Sequence, residues 1–496
     1  MKQEAISELI HSMSSSEKRH FKIYSKGHVK EGENNYISLF DAINNSKKEY
    51  ENELKTKNSK RSSLKNLHVE KNYLYNLLLK SLNDFHGITS SEAKIDKINK
   101  HIEILLHKGL HQQCLKLVTK AKKIGHEAHA ESQLIRTLEL EQEIYNKQQD
   151  YKKLLSSIED SKSILKRLTN QYDYKNLAFE MNFKEITFRS TNKTEHLKEL
   201  QLLMKHELML DEGKAETYKA KMFLFQTKAM YYGIVNDEPT SILYFEKMMQ
   251  LMESAPKIIQ QHPIDYLLVF ANVAMGKINL KNYKELMGDI EKIERSPSRL
   301  QIKQDKVFEA NLFFFTKPYQ LDIFTAIKEY EKSRAIIQLI EDHIDEYKPH
   351  VIRTILLNTA KSMAIANFYL EDYKRSLKYM NQIFDDDLGK YSRGHIFNMI
   401  IHYELGNESL LSSLINSTKR LLIQQDRLTK AEELMIEFFT KLIKKSKMKD
   451  IKSHFQDYHK RVLQLMDDPE SNFSLRYFDV AKWMESKIKN RSMADI

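Results

Sequence analysis

Glycine and proline are too rare in this sequence for a fold that depends on many tight turns. The 496 residues include 12 Gly and 7 Pro, whereas β-sandwiches, barrels and glycine-rich nucleotide loops need such residues at most of their turns. Apolar residues recur instead at intervals of three and four positions, which is the period of an amphipathic helix. The sequence therefore predicts an all-α protein.

The sequence offers no segment for membrane insertion. No stretch approaches roughly 18 uncharged apolar residues, and the start Met1-Lys2-Gln3-Glu4 lacks the layout of a secretory signal. We therefore expect a cytoplasmic protein. A single cysteine is present, which excludes an internal disulfide and a zinc site built from several cysteines.

Positive charge is concentrated at the two ends of the chain. Residues 1–130 hold 23 Lys and Arg against 15 Asp and Glu, a net charge of +8, and residues 441–496 hold 13 against 8. The middle is nearly neutral, with 43 against 45. A local excess of this kind favours contact with acidic partners. The alternative is a solvated lysine-rich surface, because the sequence has no run of five consecutive basic residues.

The first 90 residues predict a separate basic helical module. A serine cap and a helix are expected over residues 14–24, a short amphipathic helix over residues 36–43, and a longer apolar stripe over residues 64–85. A candidate basic patch lies on the first of these helices and consists of Lys18, Arg19 and Lys22.

From about residue 92 the pattern predicts pairs of antiparallel helices. In the clearest pair, Tyr373 follows the turn, and Ser376, Met380 and Ile383 follow at steps of three, four and three residues. Small and medium side chains at these steps allow two helices to approach closely. The first core position of each second helix is predicted to be Cys114, Leu154, Leu197, Tyr244, Leu286, Ala326, Ser376 and Leu411.

These helix pairs resemble the tetratricopeptide repeat, whose turn and core positions follow the same steps. The resemblance implies a right-handed α-solenoid over residues 92–425, with capping helices over residues 426–496. The spacing of 35 to 50 residues between the core positions above exceeds the family's 34 and also suits two-helix repeats of the HEAT type. Trp483 is expected to anchor the last helix. The prolines are expected between helices, at Pro239, Pro256, Pro263, Pro297, Pro318 and Pro349.

Motifs for enzyme chemistry are incomplete, and we expect neither a cofactor nor a catalytic site. Gly276-Lys277 lacks the leading glycine and the following Ser or Thr of a phosphate loop. Asp385, Asp387 and Gly389 begin like a calcium loop, but Ile396 stands where a glutamate is needed.

Residue types that commonly bind metal ions are concentrated within residues 101–129. The histidines of this group do not match the spacing of a zinc helix motif, and its cysteine is expected in the core, so we expect no metal. The group consists of His101, His107, His111, Cys114, His126, Glu127 and His129.

The leading functional hypothesis is a non-enzymatic scaffold or adaptor that binds a protein or peptide in the groove of the solenoid. The alternative is a regulator whose basic module contacts nucleic acid while the solenoid senses a ligand or partner. By the tetratricopeptide resemblance, the first helix of each pair lines the groove. The candidate partner-binding residues are Asn99, His107, Asn279, Asn358, Lys361, Phe368, Tyr369 and Tyr403.

Overall fold

The computed structural model describes most of the chain. The described residues are 3–26, 35–45, 67–86, 90–191, 194–386, 394–425, 428–443, 448–466, 468, 471 and 474–496. Among them are the helices α1 (Gln3–Ser12), α2 (Ser15–Lys26), α3 (Asn35–Asn45), α4 (Leu67–His86), α5 (Ser91–His107), α6 (His111–Glu127), α7 (Glu131–Lys147), α8 (Tyr151–Thr191), α9 (Thr194–Met204), α10 (Glu207–Leu210), α11 (Tyr218–Ile234), α12 (Glu238–Glu253) and α13 (Pro256–Gln261). They continue with α14 (Pro263–Asn279), α15 (Tyr283–Glu294), α16 (Ser296–Arg299), α17 (Lys306–Ala326), α18 (Tyr330–Tyr347), α19 (Arg353–Tyr369), α20 (Tyr373–Phe384), α21 (His395–Glu404), α22 (Glu408–Gln424), α23 (Lys430–Leu442), α24 (Met448–Leu465) and α25 (Val480–Lys489).

The predicted all-α class is confirmed, since these residues form helices and turns and contain no strand. None of the described helices is both long and apolar enough to cross a bilayer. The chain divides into two compact units, Met1–Leu165 (unit 1) and Lys166–Ile496 (unit 2). The boundaries predicted at residues 90 and 425 stay predictions.

The predicted helices of the first 90 residues pack on a core of their own. The N–H of Glu17 donates to the Ser14 hydroxyl at 3.3 Å, and the Glu17 carboxylate accepts from the Ser14 N–H at 2.6 Å. This reciprocal cap begins α2 one residue after Ser14. Phe21 and Phe40 meet in the core with ring centroids 4.8 Å apart. Residues 46–66, between α3 and α4, lie outside the described residues.

One turn geometry recurs at eight junctions between consecutive described helices. At each junction one residue adopts a left-handed backbone, the next residue's N–H donates to the carbonyl five positions earlier at 2.9–3.0 Å, and the residue after that begins a new helix. This is the Schellman arrangement, which favours glycine. Glycine occupies two of the left-handed positions, Gly109 and Gly406. The other six are His129, Gln149, Asn236, Lys281, Lys328 and Glu371.

The repeated turn gives the helices that follow it a common register. Five positions after each left-handed residue stand Cys114, Leu134, Leu154, Ser241, Leu286, Ser333, Ser376 and Leu411, of which all but Leu154 are buried. In three pairs this residue donates to a carbonyl twelve positions earlier; the Ser241 and Ser376 hydroxyls do so at 2.8 Å and the Cys114 thiol at 3.7 Å. Three predicted first core positions lie outside this register. Leu197 is on α9, which does not begin after one of these turns. Tyr244 comes three residues after the true position, and Ala326 is the exposed last residue of α17.

The prediction that prolines lie between helices is wrong at Pro318. This residue is buried inside α17, where its ring nitrogen has no hydrogen to donate to a preceding carbonyl. The other five prolines of this prediction stand in the first turn of a helix, where that missing donor costs nothing, or in the 3₁₀ helix Lys348–His350.

Candidate functional site

The predicted basic patch is partly neutralised inside its own module. The Lys22 ammonium lies 2.7 Å from an Asp41 carboxylate oxygen, and Arg19 is exposed on the same helix. Lys18 is half-buried. Asp41 therefore offsets one of the three charges proposed for nucleic-acid contact.

The histidine and cysteine group is spread over two helices and their ends. Cys114 is buried on α6, and burial raises the pKa of its thiol. His107 ends α5, and the left-handed Gly109 separates it from His111 at the start of α6. The helical face that these two histidines would need to share is therefore interrupted.

Among the described residues, the side chains of Glu246, Glu285 and Asp289 do form a group with ligand spacing for a metal. A lysine already bridges them. The Lys277 ammonium lies 2.8, 2.7 and 2.6 Å from their respective carboxylate oxygens. Lys277 and Gly276 are buried inside α14, so these residues form part of an ion-paired helix and not a phosphate loop.

The two candidate partner-binding residues of unit 1 have different surroundings. Asn99 is 3% exposed, and its side-chain oxygen accepts from the Thr137 hydroxyl at 2.9 Å. It therefore joins α5 to α7. His107 is exposed at the end of α5.

In unit 2, the C-terminal segment, residues 474–496, packs against several of the candidate partner-binding residues. Phe478 stacks on Phe397 and contacts Phe368, with ring centroids 4.3 and 4.9 Å apart. Trp483 is 1% exposed and contacts Tyr403 at 5.7 Å, which confirms its predicted anchoring role. Phe368 is buried by these contacts and Tyr403 is half-buried.

The polar candidates surround the same segment. Arg476 pairs with Glu238 at 2.9 Å, and the Asn279 amide donates to that glutamate at 3.1 Å. Asn358 is exposed one helical turn before Lys361 on α19. The C-terminal segment is therefore part of this face of unit 2, and any partner must bind beside it.

Two lysines of this face lie over tyrosine rings. The Lys361 ammonium is 4.7 Å from the ring centre of Tyr477, and the Lys482 ammonium is 5.0 Å from that of Tyr369. Both lysines are half-buried. Within the described ranges, neither ammonium has a carboxylate oxygen within the 4.0 Å of an ion pair. Burial lowers the pKa of each, and Asp322 partly offsets this for Lys361, as Asp479 does for Lys482.

An acidic side chain lies near Lys361 without pairing with it. Burial raises the pKa of Asp322 to about 6, against the opposing effects of the Lys361 charge and of the Ser362 hydroxyl, which donates to Asp322 at 3.0 Å. Burial and the Asp322 charge also raise the pKa of Tyr283 and Tyr319. We call this group the tyrosine–lysine cluster; it consists of Tyr283, Tyr319, Asp322, Lys361, Tyr369, Tyr477 and Lys482.

Ionisable side chains held in half-buried positions without an ion-pair partner are typical of functional sites. Two residues of the cluster, Lys361 and Tyr369, are also among the candidate partner-binding residues predicted from the sequence, and their role stays a prediction. The sequence did not identify Asp322, Tyr477 or Lys482, because these residues reach the site from α17 and from the C-terminal segment. No feature of the sequence near these three residues indicates that they lie close to Lys361 and Tyr369.

No protein-family model matches this chain, and no curated protein matches it.

Proposed function

We propose that the chain is a non-enzymatic scaffold or adaptor, built as a right-handed solenoid of tetratricopeptide-like helix pairs, that binds a protein partner at the tyrosine–lysine cluster. The repeated turn supports the solenoid part of the proposal, since stacking of equivalent helix pairs is what produces a solenoid. Unit 2 carries five of the eight turns, at Asn236, Lys281, Lys328, Glu371 and Gly406.

The observation that carries the binding proposal is the pair of half-buried lysines over tyrosine rings, with Asp322 near one of them. Keeping such groups in the charged form inside a protein costs free energy unless a partner compensates for it. Aromatic and cationic side chains are also enriched at the centres of protein interfaces. A protein partner supplies both a counter-charge for the lysines and a surface that packs against the tyrosine rings.

The test is affinity capture with the full chain, comparing two variants that add the same bulky side chain at exposed positions. Asn358→Trp places an indole beside Lys361, whereas Lys374→Trp places it on α20, the second helix of the same pair. We expect Asn358→Trp to lose a specific protein that wild type and Lys374→Trp both retain, by quantitative mass spectrometry. Equal recovery by all three proteins would contradict the proposed site.

A further inference from the structure

Several other buried or half-buried lysines of unit 2 are paired with carboxylates. Lys277 has three carboxylate partners within 2.8 Å. Lys317 pairs with Glu294 at 2.8 Å, and Lys487 pairs with Glu404 at 2.6 Å. Lys228 and Lys247 share Glu212 at 3.3 and 3.0 Å. Pairing with an internal carboxylate is thus a recurrent arrangement in this unit.

Lys361 and Lys482 lack this pairing. A tyrosine ring occupies one side of each ammonium, and a cation–π contact of this kind contributes less than a desolvated ion pair. Each ammonium therefore retains the capacity to bind an anion.

The wider charge distribution favours an anionic ligand. Lys281 and Lys328 are exposed on two of the repeated turns, and each lies close enough to lower the pKa of Lys482. Asp479 opposes them, but its carboxylate also caps α25 by accepting from the Lys482 N–H at 2.9 Å. Glu485 also opposes them, so four lysines lie opposite three acidic side chains, Asp322, Asp479 and Glu485.

We propose that the tyrosine–lysine cluster receives an acidic segment of a partner protein, whose carboxylates pair with Lys361 and Lys482. This inference rests on the proposed scaffold function and specifies the chemistry of the partner. In this proposal each carboxylate lies on the side of the ammonium away from its tyrosine ring, so that an ion pair forms while the ring keeps its position.

Single-stranded nucleic acid suits the cluster less well. Base stacking needs a free aromatic face, whereas an ammonium lies over a face of both Tyr369 and Tyr477. Binding of an oligonucleotide in preference to an acidic peptide would therefore contradict the proposal.

The test measures binding of a labelled poly-L-glutamate peptide to the full chain by fluorescence anisotropy, with poly-L-glutamine of equal length as the neutral probe. We expect Lys361→Gln/Lys482→Gln to weaken poly-glutamate binding about tenfold or more and to flatten its salt dependence. Lys361→Arg/Lys482→Arg should retain binding. Thermal unfolding checks that each variant folds.

The matched control is Lys374→Gln/Lys378→Gln. Both of these lysines are exposed on α20, and Lys378 also lies over a tyrosine ring, that of Tyr379, at 5.5 Å. We expect this variant to bind poly-glutamate as wild type does. An equal loss in the control variant, or no loss in Lys361→Gln/Lys482→Gln, would overturn the proposal.

The two proposals fail in different ways. If Asn358→Trp loses a protein partner but poly-glutamate binding is unchanged in Lys361→Gln/Lys482→Gln, the scaffold function stands and the acidic-segment proposal is wrong. If poly-glutamate binding depends on both lysines but Asn358→Trp recovers the same proteins as wild type, the cluster is an anion site and the scaffold proposal falls.

Discussion

Lys277 and Lys361 are the same residue type on the first helix of two helix pairs, yet their surroundings are opposite. Lys277 is 2% exposed and is held by three carboxylates. Lys361 is half-buried, lies over the Tyr477 ring and has no carboxylate within ion-pair distance among the described residues. The comparison shows that one lysine completes the internal structure, whereas the other remains available to a ligand.

The pKa values of Lys277 and Lys361 differ as these surroundings would lead one to expect. Burial by itself lowers the pKa of Lys277, but hydrogen bonds with Asp289, Glu246 and Glu285 outweigh it and raise the pKa. For Lys361 burial dominates, and the more distant Asp322 charge offsets only part of it, so its pKa is lowered. Direct contact with carboxylates decides between the two outcomes.

The largest expected effect tests the helix pair that carries Lys361. Ser376 is fully buried where α19 and α20 meet, so Ser376→Arg places an unpaired charge in the core and should lower the free energy of unfolding by about 4 kcal/mol. Lys374→Arg, at an exposed position two residues earlier, should have almost no effect. Urea denaturation measures both variants. Equal urea midpoints for Ser376→Arg and Lys374→Arg would show that the register of the α19 and α20 pair is wrong.

The next effect compares the two lysines directly. Lys277→Met leaves three carboxylates without their shared cation, and because those carboxylates are partly exposed we expect a loss of about 2 kcal/mol in unfolding free energy. Lys361→Met removes an ammonium that has no ion pair to lose, and should change stability by no more than about 1 kcal/mol. Denaturation of the two variants under the same conditions decides the comparison. A greater loss of unfolding free energy for Lys361→Met than for Lys277→Met would contradict this comparison.

A smaller effect concerns Asp322. Its pKa in the folded protein, about 6, is above the ordinary 3.8, so the stability associated with its protonated form is fully present below pH 3.8 and is lost as pH rises through 6. Asp322→Asn should therefore be more stable than wild type by about 1–2 kcal/mol at pH 7.5 and nearly equal to it below the ordinary pKa. Urea denaturation at both pH values tests this. A variant less stable than wild type at pH 7.5 would show that a charged Asp322 supports the fold.

The smallest effect concerns the alternative function as a nucleic-acid regulator. We expect the full chain to bind duplex or single strands weakly at physiological salt, because no base-reading motif accompanies the charge and Asp41 pairs with Lys22. Changing Lys18, Arg19 and Lys22 together to Glu should alter this binding only a few-fold. Sequence-selective binding at about 0.15 M salt that the triple variant abolishes would favour the regulator instead.

Much of the fold was predictable because it depends on local periodicity. The pair around Ser376 was identified from its three- and four-residue steps, and Gly109 and Gly406 stand at two of the repeated turns, where glycine is the favoured residue. Three turns were not placed, those at His129, Asn236 and Lys328, because none of these residues is a glycine that would mark the left-handed position in the sequence. The shift from Ala326 to Ser333 follows from missing the turn at Lys328.

The candidate site was less predictable, because it depends on contacts between distant parts of the chain. Lys361 and Tyr369 were identified from their helix, but Tyr477 and Lys482 stand more than a hundred residues later. Phe368 was expected to face a partner and is instead buried against Phe478. Neither periodicity nor composition indicates where a C-terminal segment packs.

The chemical reactivity of the lysine amines tests most directly whether Lys361 and Lys482 are available while Lys277 is not. We propose limited acetylation of the folded full chain with acetic anhydride at mildly alkaline pH, with the rate at each lysine followed by mass spectrometry. Only the neutral amine reacts, so Lys361 and Lys482, whose pKa values are lowered, should react at least about tenfold faster than Lys277. Saturating poly-glutamate should protect the first two. Equal rates at Lys277 and Lys361, or protection by poly-glutamate only elsewhere, would contradict the assignment of the cluster as the binding site.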